Sequence, residues 1–152
     1  GVAGQTIGAG CSGDASFWTP MKQVWVEFSA EEEKPLVFAA WVAKTPEQRG
    51  RGFQGVCPGL VTERSLLFVF PAPVKANFHM SGVALPLDIV FIDVFRQVIN
   101  IQRMALQESD RSTTYYRSDT VFQFALETAA GRLDQLRRNP RLWRMRGSDR
   151  NQ

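Results

Sequence analysis

Histidine and cysteine are scarce in this chain: His79, Cys11 and Cys57 are all that 152 residues contain. With so few soft or imidazole ligands, and no metal-ligand spacing between them, a structural zinc site is excluded. Also lacking are a glycine-rich phosphate loop, a G-x-S-x-G elbow and an H-E-x-x-H helix, three common signatures of nucleotide binding, serine hydrolysis and zinc proteolysis. No apolar run approaches the roughly 20 residues that a helix needs to span a bilayer. The expectation is a domain without metal or organic cofactor.

What is present suits a globular core. Hydrophobic residues make up 44% of the chain and include 11 phenylalanines. A single domain of this length buries roughly 68–70% of its unfolded surface, so it can build a core without staples. The net charge of +3 is unevenly placed. Residues 132–150 hold seven arginines (positions 132, 137, 138, 141, 144, 146 and 150) against Asp134 and Asp149, which leaves the remainder net acidic. The simplest reading is a solvated helix face followed by a strand with outward arginines. The alternative is a basic C-terminal adaptor that sits on an anionic membrane or on nucleic acid, although no recognisable nucleic-acid motif accompanies the charge.

Residues 1–20 are rich in small side chains and lack periodicity, as a flexible leader would, and could follow a removed signal peptide. Residues 7–11, IGAGC, faintly resemble a lipoprotein cleavage site, which would tether Cys11 to a membrane. In an oxidising compartment Cys11 and Cys57 could instead form a disulfide. Residues 21–148 are expected to form one β-rich domain.

Apolar and polar side chains alternate in residues 23–28, QVWVEF, and residues 36–42 return as a second strand after a charged turn, predicting a hairpin. In residues 45–55 Thr45 suits an N-cap, Pro46 the first helical position, and Gln48 completes a capping box. Gly50 and Gly52 limit that helix to about two turns. Pro58-Gly59 reads as a loop, and PAPVKA (71–76) as the break after a buried strand at 65–70. Residues 87–93, LDIVFID, form another strand covered on both sides. In residues 98–103 Ile99 and Ile101 are expected on one face; in 121–127 Phe122, Phe124 and Leu126 are. A short helix at 131–138 points Leu133 and Leu136 inward, and a last strand covers 142–146. Seven or eight short strands with two short helices and no βαβ rhythm predict a mainly β fold, a compact sandwich or partly open barrel.

Taken in order, TPEQRGRGFQG (45–55), LLFVF (66–70), NFHM (77–80), LPLDIVFID (85–93) and ALETAAG (125–131) resemble the bacterial and archaeal domain-of-unknown-function 192 family, also catalogued as uncharacterised protein family 0127. The resemblance spans residues 38–131. It implies a compact β-rich fold, frequent export by an N-terminal signal, and no established activity. The chain departs from the family pattern at several places. His79 stands where tryptophan is usual, Ser81-Gly82-Val83 replaces Lys-Asn-Thr, Gln54 replaces methionine, and Arg96 occupies a turn glycine's place.

Residues five apart on a strand face opposite sides, so Asp88 and Asp93 cannot act as a carboxylate pair. Asp93 is expected to accept turn hydrogen bonds. Asp88, before four apolar residues, needs a cation, for which Arg49 or Arg51 are the nearest candidates. These considerations place a candidate ligand patch at Arg49, Arg51, Phe78, His79, Met80 and Asp88. The leading expectation is an exported or membrane-tethered domain, periplasmic or secreted, that binds a small ligand or protein partner and performs no chemistry of its own. The rival is a hydrolase or transferase in which Cys57, His79 and Asp88 form a nucleophilic set.

Overall fold

The structure is a computed structural model that describes Cys11 and residues 20–108 and 112–149. Most of the expected leader, and Arg150, lie outside the described residues. The rest is mainly β: β1 (Gln23–Ser29), β2 (Leu36–Ala43), β3 (Ser65–Val74), β4 (Leu87–Ile92), β5 (Val98–Met104), β6 (Phe122–Ala129) and β7 (Arg144–Asp149). Three short helices accompany them: α1 (Pro46–Arg51), α2 (Pro58–Glu63) and α3 (Asp134–Arg137). The strands form one curled half-barrel sheet in the order β5-β4-β6-β3-β2-β1-β7. All neighbours are antiparallel except β2 and β3, whose parallel pairing needs the α1–α2 crossover.

Curling brings the two ends of the sheet together. Gln97, just before β5, bridges to Arg144 at the start of β7. The Val98 amide donates to the Trp143 carbonyl at 3.0 Å, and the Met145 amide to the Arg96 carbonyl at 2.9 Å. Arg96 reaches this seam through a left-handed turn (φ 71°), although it replaces the expected glycine. Asp93 ends β4 as expected, its Oδ1 accepting from the amides of Phe95 and Gln97, both at 2.9 Å.

Both faces of the central strands are buried. All seven strands contribute to the enclosed inner core, among them Val26, Phe28, Phe38, Val90, Leu126 and Met145. Leu133 and Leu136 plug it from the α3 region, with Trp143 beside the seam. On the outer face, Leu66, Phe68, Ile89, Phe91 and Phe122 pack beneath Phe53 and Val56 after α1, Val61 of α2, and Phe78 and Met80. Every residue of β4 is buried, which explains why it is apolar throughout except at Asp88.

Several local expectations need correction. Residues 58–63 are helical, since Pro58 sits at the first helical position, where its missing N–H is no loss. The strand at 65–70 continues through Pro71 and Pro73 to Val74. Pairing of β3 with β2 stops at Phe68, so the prolines lie along an edge where no ladder donor is needed. Beside the register shift between Val69 and Val74, and against the expected single face, Phe122 lies in the outer core while Phe124 packs against the inner one. A bulge opposite Phe91 and Ile92 likewise separates Ile99, on the outer face, from Ile101. The last strand begins at Arg144 because Pro140–Leu142 forms a 3-10 turn.

Cys11 is disulfide-bonded to Cys57, with 4.9 Å between the α carbons and 46 residues of separation. The bond ties the N-terminal segment to the N-cap of α2. Closing a loop of this length stabilises the fold by about 4 kcal/mol in the chain-entropy model. Replacing both cysteines with serine should lower the urea midpoint correspondingly, and added reductant should move the parent protein, but not the variant, in the same direction.

Candidate functional site

The residues expected to form one patch divide between the two faces of the sheet. Asp88 shares the inner side with Val90 and Ile92 and is fully buried. Its partners are neither Arg49 nor Arg51. Arg103 Nε donates to Oδ1 at 2.6 Å and Arg103 Nη2 to Oδ2 at 3.1 Å, while Arg137 Nη2 donates to Oδ1 at 3.0 Å. The Gly131 amide adds a fourth bond at 2.8 Å. Burial alone would raise the pKa, but the Arg103 hydrogen bond, the Gly131 amide and the charges of Arg103 and Arg137 outweigh it and hold the carboxyl below its ordinary 3.8. Asp88 is an electrostatic pin joining β4, β5 and α3. It also consumes Arg137 of the basic C-terminal cluster, while Arg132 lies 5.0 Å over the Phe38 ring and Arg144 donates to the Phe95 carbonyl at 2.7 Å.

The nucleophilic set is not assembled either. Cys57 is held in the disulfide, Asp88 is on the opposite face, and the partners of His79 are Ser81 and Tyr115. The His79 ring is half-buried, accepts the Ser81 amide at Nδ1 (3.2 Å), and meets Tyr115 edge-on at 6.3 Å. Met80 is buried in the outer core.

Arg49, Arg51, Phe78 and His79 do converge, around a cavity of about 250 Å³ on the outer face. One wall is α1 with the turn that follows it. The Gln48 amide donates to Thr45 Oγ1 at 3.1 Å and Gln48 Oε1 accepts from Thr45 N at 3.2 Å, completing the expected capping box. Gly52 then takes φ 53°, a left-handed value that favours glycine, and a β carbon added there would lie 3.6 Å from the Phe68 ring. The facing wall is the 76–83 segment, anchored by paired amide–carbonyl bonds between Phe78 and Tyr116 and by the Gly55 amide on the Gly82 carbonyl, 2.8 Å. Phe68 and Phe70 of β3 line the base, with Phe78 edge-on to Phe68 at 5.2 Å. Arg49 lies 4.8 Å over the Phe70 ring and donates to the carbonyls of Lys44 and of Val69 (3.2 Å).

The residue that the sequence reading missed is Glu127, which also lines this cavity. It is 4% exposed and sits in mid-strand, paired in register with Leu66 on one side and Ile89 on the other. Among the described residues none donates a hydrogen bond to its carboxyl or pairs with it. Burial without compensation pushes its pKa from the ordinary 4.5 up to about 8. Two signals pointed to it: the motif ALETAAG contains it, and strand alternation sets it opposite Leu126, on a strand whose faces are both covered.

The DUF192 family model, described as an uncharacterized ACR, matches residues 27–140. The chain belongs to the DUF192 family. Two solved structures share the DUF192 chain's fold. One, a proposed transcription regulator from Sinorhizobium meliloti 1021, has a TM-score of 0.72 and 21% identity, covering 84% of this chain and 95% of its own. The other, a protein of unknown function from Novosphingobium aromaticivorans DSM 12444, has a TM-score of 0.68 and 23% identity, covering 83% and 84%. No curated protein matches the chain.

A raised carboxyl pKa means that the folded protein keeps a proton which the unfolded chain releases. Glu127 therefore favours folding least at high pH: its penalty is absent below pH 4.5, grows as pH rises towards about 8, and then levels off. The total is on the order of a few kcal/mol. Glu127→Gln should flatten this decline, so that urea unfolding at pH 5, 6.5 and 8 (roughly spanning the window) shows the variant gaining on the parent at each step.

Proposed function

We propose that this DUF192 chain is a small-ligand-binding module, working outside the cytoplasm, whose binding site is the cavity beneath α1. The observation that carries the reading is Glu127: a carboxyl 4% exposed, facing an open cavity, with no polar partner among the described residues. Burying such a group without a hydrogen bond costs about 1–3 kcal/mol or more, and a ligand that supplies the missing partner recovers that loss. Phenylalanine walls with a few convergent polar groups are the usual composition of a small-molecule site. Binding is favoured over turnover because Cys57, His79 and Asp88 stand apart. The Cys11–Cys57 disulfide supports an oxidising compartment, periplasmic or secreted.

Ala76 lines the same cavity and is only partly buried, packed at the margin of the outer core, so Ala76→Phe should fill it. In a fragment screen read by NMR, hits on the parent should shift the amides of Gly52, Phe78 and Glu127 and should be lost in Ala76→Phe. Hits that fall elsewhere and survive the substitution would end this reading.

A second reading, peripheral association with an anionic membrane, draws on the turn between β4 and β5. Phe95 is 73% exposed there beside Val94, and Arg144 holds the Phe95 carbonyl, which brings exposed Leu142 nearby. Apolar tips flanked by Arg96 and Arg144 suit a lipid interface. Phe95→Asp should then abolish co-sedimentation with phosphatidylserine vesicles while leaving binding in the cavity unchanged.

A further inference from the structure

The chemistry of the cavity narrows the ligand class, provided that the cavity is a ligand site as proposed above. We infer that it takes a small zwitterionic amine, with the ammonium group seated against Glu127 at the floor and the anionic group towards Arg49 of α1.

Size sets the first bound. About 250 Å³ is below the ~300–1,000 Å³ typical of pockets for drug-sized ligands, so the occupant is a compact metabolite and not a folded peptide segment. The floor decides which group enters first. Glu127 has Leu66 and Ile89 as strand neighbours and Phe68 close to Gly52, so nothing among the described residues supplies a counter-charge. An ammonium brings that charge with it, and the rings of Phe53, Phe68 and Phe78 add cation–π stabilisation that a neutral head would not gain.

A plain monoamine is the wrong ligand, however, because positive charge is already present. Arg49 donates to two backbone carbonyls and covers Phe70, and among the described residues no carboxylate pairs with it. Its charge is therefore uncancelled at the cavity wall. It repels a second cation and attracts an anion. A zwitterion satisfies both ends. The titratable groups facing the cavity besides Glu127 are Arg49 and Arg51 from α1 and His79 from the 76–83 segment, while β3 contributes only Phe68 and Phe70.

The protonic consequence separates this class from its rivals. Glu127 holds its proton in the empty site near neutral pH and must release it to pair with an ammonium. Binding should therefore eject close to one proton, roughly the full equivalent well below the site's own pKa. A neutral amide or a carboxylic acid bound at the same carboxyl would eject none.

The experiment uses the disulfide-bonded protein and a panel of free α-amino acids and γ-aminobutyrate, each beside its decarboxylated amine, its deaminated acid and the corresponding neutral amide. Thermal shift identifies binders, and titration calorimetry at pH 6.5 in two buffers of different ionisation enthalpy counts protons (a window of roughly one unit or more below the site's pKa suffices). The expected result is that at least one zwitterion binds with proton release, that its amine and acid analogues do not, and that Glu127→Gln weakens it on the order of thirtyfold or more. Binding confined to neutral amides or acids, without proton release and sensitive to Ala76→Phe, would overturn the ligand class while leaving the cavity as a ligand site. Failure of every compound to bind would overturn the ligand class, while the cavity itself stands or falls by the fragment screen. Zwitterion binding that persists unchanged in Glu127→Gln would overturn the assignment of the ammonium to the floor.

Discussion

A sheet that is apolar on both faces must be covered on both, and this requirement organises the molecule. The inner face is covered by curling the sheet on itself until the ends of β5 and β7 meet, with Leu133, Leu136 and Trp143 filling the interior. The outer face has no second layer of strands. It is covered by two six-residue helices and the 76–83 segment, held together across turns at Gly52, Gly55 and Gly82. Short helices and tight turns do not tile a surface completely, and the gap they leave is the cavity. Fold and candidate site thus have one origin.

Two carboxylates on adjacent strands show what that asymmetry does to charge. Asp88 pairs in register with Thr128, and Glu127 with Ile89, so one step along the ladder separates the two acids and turns them to opposite faces. Towards the inside, Asp88 meets two guanidinium groups and an amide and is held ionised. Towards the outside, Glu127 meets leucine, isoleucine and phenylalanine and is held neutral near pH 7. Removing one partner from a buried, fully paired charge leaves a destabilised fold, whereas a buried lone carboxyl relieves its desolvation by keeping its proton.

Features governed by local sequence were legible. The capping box of Thr45 and Gln48 involves four consecutive residues, the Asp93 turn five, and the hairpin of β1 and β2 a short loop. The two-sided burial of β4 was written in the four consecutive apolar residues that follow Asp88. What was not legible depended on distant partners. Arg49 and Arg51 looked like the counter-charges of Asp88 because nothing in the chain says on which face of the sheet α1 will lie. The faces of Ile99 and Ile101 turned on a bulge in β5, which shifts alternation by one residue without any glycine or proline there to announce it. Glu127 looked like a strand end until register placed it between Leu66 and Ile89. The DUF192 motifs located the segments correctly, but a motif does not tell which of its polar residues lacks a partner.

The pairing of β1 with β7 has a consequence for biogenesis. Among the described residues the first strand borders the last one, so β1 presents an uncovered edge, with Trp25 on its outer side, until β7 has been made. Closure of the half-barrel waits for the same late segment, since the seam at Gln97 needs Trp143, Arg144 and Met145. Closure therefore follows the synthesis of β7, and until then the first hairpin keeps an open edge that can pair with a neighbour's.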